Sequence, residues 1–89
     1  MKEELMRILK AGVDVNYGKL SLCNIHNYEN RRTGWQVHSD NPSYLASEFY
    51  RPSQLEIAVA RFLFIRRAIR NDEFANPKLP DVPVESKDA

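Results

Sequence analysis

Apolar residues recur along the 89-residue chain with two different periods, and the places where the period changes divide it into elements. Leu5, Ile8 and Leu9 stand at i, i+3 and i+4 with Met6 beside them, while Glu3, Glu4, Arg7 and Lys10 fall elsewhere. That spacing predicts a short amphipathic helix over Glu3 to Ala11, acidic at its start, basic at its end, and stopped by Gly12. From Val13 the period drops to two. Val13, Val15 and Tyr17 share one side, and after Gly18 the apolar set moves to Leu20 and Leu22, then to Cys23 and Ile25. A strand whose inward face switches needs a bulge or a turn, and Gly18 is the residue to supply it.

The polar stretch from His26 to Gly34 reads as a hairpin loop. Trp35-Gln36-Val37-His38 alternates as a second strand, closed by Asp40-Asn41-Pro42-Ser43. Leu45 to Tyr50 reads as a third strand, with Leu45 and Phe49 on one face and Glu48 and Tyr50 on the other. Pro52 and the capping-box sequence Ser53-Gln54-Leu55-Glu56 then open a long helix that is expected to run to about Arg70. Leu55, Val59, Phe62, Ile65 and Ile69 form its main stripe, widened by Ala58 and flanked by Leu63; Ile57 and Phe64 fall outside it. Pro77, Pro80 and Pro83 among charged residues mark 76–89 as a Pro-rich, extended or disordered tail. The expectation is one α+β domain over residues 1–75, in the order α-β-β-β-α. In it a three-stranded antiparallel sheet packs against the long C-terminal helix, with a short helix at the N-terminus.

Composition narrows the functional classes. With 43% hydrophobic and 28% charged residues, the chain is too apolar for disorder. Thirteen basic against twelve acidic residues leave a net charge of +1, which gives no long-range pull toward nucleic acid or anionic membrane. No apolar run approaches the ~20 residues that span a bilayer, and the single Cys23 precludes an internal disulfide, so a cytoplasmic, non-membrane protein is expected.

Candidate chemistry is sparse. Cys23-x-x-His26 with His38 on the next strand offers three metal ligands at most, where a structural zinc site uses four. A thiol on an apolar strand has its pKa raised rather than lowered, which argues against a nucleophile. The three glycines are too dispersed for a phosphate loop. No catalytic residue, metal or cofactor is assigned, and no enzyme is expected.

Two basic features remain. Tyr28, Arg31 and Arg32 on the hairpin loop combine a rigid aromatic with planar cations, as protein-binding hot spots do. Arg66, Arg67 and Arg70, with Arg61 a turn earlier, gather toward the end of the long helix. These cations complement the helix dipole and also form a candidate partner-binding surface. Ile57 and Phe64 exceed what one small sheet can cover and are the expected homodimer contacts. The element order resembles that of the double-stranded RNA-binding domain. That family grips phosphate with a Lys-rich cluster at the start of its second helix, where this chain has Arg51-Pro52-Ser53-Gln54 with a single base. Short, cysteine-poor chains of this build also resemble the small inhibitor and accessory proteins of bacteriophages and other mobile elements, which occlude a host protein's surface. The reading is therefore a non-catalytic protein-binding module, partnered by another protein or complex. A small RNA- or DNA-binding domain using local arginine patches is the alternative.

Overall fold

The computed structural model describes residues 1–27 and 32–75. Helix α1 spans Lys2–Lys10. Its C-terminus is closed as the sequence requires: Gly12, at φ +91°, donates its N–H to the Leu9 carbonyl at 3.0 Å, and Val13 donates to Ile8 at 3.2 Å. This pair of bonds is the Schellman arrangement, which needs a left-handed residue after the cap.

The sheet is antiparallel, but it has four strands rather than three: β1 (Val15–Tyr17), β2 (Leu20–Asn27), β3 (Arg32–Asn41) and β4 (Tyr44–Tyr50), in that spatial order. The extra strand arises at Gly18. With φ +60°, Gly18 and Lys19 form a two-residue hairpin loop, because Tyr17 pairs directly with Leu20 and Val15 with Leu22. A two-residue loop shifts the inward set from odd to even positions. The switch from Val15 and Tyr17 to Leu20 and Leu22 is therefore a chain reversal and not a bulge, and all four share one face. Cys23 and Ile25 consequently fall on the opposite face. The β2–β3 ladder continues to Asn27 opposite Arg32, so His26, Asn27, Arg32, Thr33 and Gly34 of the expected hairpin loop belong to the strands; residues 28–31 lie outside the described residues. The Pro-rich segment 76–89 lies outside them too.

The sheet's inner face carries Leu20, Leu22, Trp35 and Val37, all buried. The Trp35 Nε1–H donates to the Pro52 carbonyl at 3.2 Å, so the indole satisfies its polar edge at the junction before the long helix. That helix, α2, spans Leu55–Ala75 and follows a single 3₁₀ turn over Pro52–Gln54. The start differs from the capping box expected at Ser53. Pro52 takes the first position, and Gln54 Oε1 reaches back to accept the Arg51 N–H at 2.8 Å. The helix also outruns its expected end by five residues. Its last turns are tied to the sheet, where Tyr17 Oη donates to Glu73 at 2.9 Å and Ser43 Oγ to Asp72 at 2.6 Å.

Helix α2 buries Leu55, Ala58, Val59, Phe62, Ile65 and Ile69 against the sheet, and Leu9 of α1 closes the same core. Strand β4 divides into two faces as its alternation predicts. The apolar pair Leu45 and Phe49 points away, 71% and 43% exposed, while Tyr44, Ala46, Glu48 and Tyr50 face the helix. Gly34 explains part of this arrangement. The Phe49 ring lies over it, so a Cβ at this position would stand 2.7 Å from Phe49 Cζ and 2.2 Å from the Tyr50 carbonyl oxygen. Gly34→Ala is accordingly expected to cost roughly 2 kcal/mol or more in a urea titration. Gly12→Ala, strained but open to solvent, should cost only about 1 kcal/mol. Equal losses would contradict the packing described.

Candidate interaction surface

With one stripe of α2 in the core, its opposite face is left in water, and that face is not polar. Ile57, Phe64 and Phe74 are 54%, 56% and 76% exposed, and Ala60, Arg67 and Asn71 stand between them. The six positions repeat at alternating intervals of three and four residues, the spacing that keeps side chains on one line along a helix. The expectation that Ile57 and Phe64 lie off the buried stripe is met.

Arg66, Arg67 and Arg70 do come together. With Met1, Leu63, Phe64, Asn71 and Phe74 they line a hollow of about 460 Å³. Arg66 Nη2 lies 3.2 Å from Met1 Sδ, and the Arg70 guanidinium stands 6.0 Å from the centre of the Phe74 ring. Among the described residues none of the three forms an ion pair. Their charge is open to an incoming group. Tyr28 and Arg31, the other expected contacts, lie outside the described residues, and of Arg32 only the backbone pairing with Asn27 is described.

Arg61 separates from this group. It lies roughly 140° around the helix from Arg66 and turns toward β4. There its Nε donates to both Glu48 oxygens at 2.9 and 3.0 Å, and Nη2 donates to Tyr44 Oη at 3.0 Å. Tyr50 Oη donates to Glu48 at 2.6 Å, completing the network around the carboxylate. The same guanidinium sits 5.2 Å from the Phe64 ring and 5.7 Å from Tyr44, whose ring meets Phe64 edge-on at 6.3 Å. Phe64 is therefore held in place from beneath while its outer side stays exposed. The sequence offered no signal for Glu48 as its inward partner beyond the alternation of β4.

The electrostatics of this network follow from its hydrogen bonds and its burial. The Arg61 hydrogen bond holds the Glu48 carboxyl below the usual carboxylate range, and burial, aided by Glu48, pushes Tyr50 up to about 12. Burial also raises the Cys23 thiol. All three are moved away from neutral pH, where a general acid or base would operate. Cys23 and His38 share the sheet's outer face, yet no group of three or more His, Cys, Asp or Glu among the described residues could hold a metal ion. No helix of the described chain is long and apolar enough to cross a membrane. No protein-family model, curated protein or solved structure matches this chain.

The two shifts have opposite pH signatures. Glu48 has a depressed folded pKa, so its stabilisation is complete above the unfolded value near 4.3 and fades as pH falls through the folded value. Tyr50 has a raised folded pKa, so its contribution is complete below about 10 and is lost as pH rises toward about 12. Denaturant midpoints measured across pH 9 to 12 should fall for the native chain. They should fall less for Tyr50→Phe, and identical alkaline slopes would contradict the network.

Proposed function

We propose that this protein is a non-catalytic protein-binding module whose working surface is the outer face of α2. The observation that carries the reading is a second apolar stripe on a helix whose first stripe already fills the core. Three large apolar side chains left in water, with Arg67 between them and Arg66 and Arg70 alongside, form the composition of an interface centre rather than of a solvated helix face. Phe64 is the expected anchor. It is braced by Tyr44 and Arg61, so it loses little freedom when a partner covers it.

Binding of this kind acts by occupying a surface, as the small inhibitors of bacteriophages act on host proteins. Tyr28, Arg31 and Arg32 are proposed as a second contact. A nucleic-acid reading is favoured by one observation, the three arginines beside Phe64 and Phe74 that make no ion pair among the described residues. Phosphate contacts alone leave the exposed Ile57 without a role.

Capture of partners on the tagged native chain, with and without nuclease, tests the two readings. Retention of the same protein partner after nuclease, and a loss of at least about tenfold in affinity on Phe64→Glu, are the expected results. A catch that disappears with nuclease and weakens steeply with salt, by a log–log slope of about −2 to −3 for three arginine–phosphate contacts, would replace this reading with nucleic-acid binding.

A further inference from the structure

We infer that the α2 outer face binds the same face of a second copy, antiparallel and in one defined register. The inference rests on the reading of this face as a binding surface and names its occupant. Ile57, Ala60, Phe64, Arg67, Asn71 and Phe74 occupy the alternating core positions of a heptad repeat, and every one is exposed. Laid against itself with reversed direction, this stripe matches position by position. Ile57 meets Phe74 of the second copy, Ala60 meets Asn71, and Phe64 meets Arg67; the two-fold axis then repeats each pair in reverse order.

Each pair is chemically sensible. Two apolar anchors meet at either end, the smallest residue faces the polar amide, and a guanidinium lies on an aromatic ring. The last contact has precedents within the chain, since Arg61 already lies over Phe64 and Arg70 over Phe74. The flanking positions agree with the same register. Glu56 comes beside Arg70 of the second copy, twice over, and Leu63 meets its own equivalent near the axis. Lys2 holds one Glu56 oxygen at 2.8 Å, and the carboxylate has another to offer Arg70. A parallel alignment would instead set Arg67 against Arg67 in a single layer. It would offer Glu56 only Arg61, whose Nε is already engaged by both oxygens of Glu48.

The test uses the full chain with Cys23→Ser, so that introduced thiols are the only ones. Ala60→Cys and Asn71→Cys chains are prepared separately and treated with a short bis-maleimide, alone and mixed. The expected result is a linked dimer in the mixture and none in either variant alone, because equal positions would lie roughly 16 Å apart along the helix pair. Linking of Ala60→Cys to itself would overturn the register. Charge reversal provides an independent readout. Glu56→Arg and Arg70→Glu should each weaken self-association about tenfold in sedimentation, and the double variant should recover it; a double variant no better than the singles would also overturn the register. A chain that sediments only as a monomer while Phe64→Glu still abolishes partner capture would sink self-association and leave the binding surface standing. If Phe64→Glu disturbed neither association nor capture, both readings would fall.

Discussion

A helix lying across one face of a sheet can bury a single stripe of its surface, and α2 carries two. This constraint organises the whole molecule. The inner stripe, from Leu55 to Ile69, meets Leu22, Val37 and Trp35 and forms the core around which the four strands and α1 assemble. The outer stripe is only partly covered by the fold. Side chains as large as Ile57, Phe64 and Phe74 each forgo a part of the roughly 1.5–3 kcal/mol that full burial would supply.

The edge strand β4 shows how the inner layer was completed. Its apolar residues Leu45 and Phe49 point to solvent, and its inward face presents Glu48 and Tyr50. Ionised Glu48 is tolerated there because the Arg61 Nε–H is shared between its two oxygens and Tyr50 donates to one of them, while Tyr44 Oη accepts from Arg61 Nη2. The network then serves a second purpose by bracing Phe64 from the side of the sheet. Fold stability and the geometry of the exposed stripe are coupled at this one guanidinium.

Much of this was legible in residue spacing. The buried stripe of α2 and the exposed Ile57 and Phe64 followed from periodicity, since burial and period are directly linked in regular elements, and the Gly12 cap followed from residue type. Three features were not. The β1–β2 reversal was hidden because Gly18-Lys19 lacks the Asn-Gly or Asp-Gly signature of tight hairpins, and a turn and a bulge shift the apolar pattern alike. The inward face of β4 was hidden because Glu48 becomes favourable only once Arg61, thirteen residues later, is folded against it. The cap at Arg51 was hidden because Ser53 also offered a capping box, and tertiary pairing of Trp35 with the Pro52 carbonyl accompanies the earlier one. The arginine cluster itself was visible in the sequence, but the departure of Arg61 from it required the wheel of the helix to be fixed by the core.

The account's central claim is that the outer stripe of α2 is an interface, and amide NMR over a range of protein concentration tests it residue by residue. The signals of Ile57, Ala60, Phe64, Arg67, Asn71 and Phe74 are expected to move together as concentration rises, while those of Leu45, Ser47 and Phe49 on the outer sheet face stay fixed. Spectra that do not change with concentration would contradict self-association through α2. Movement confined to the sheet residues would place the interface on the wrong side of the molecule for this account.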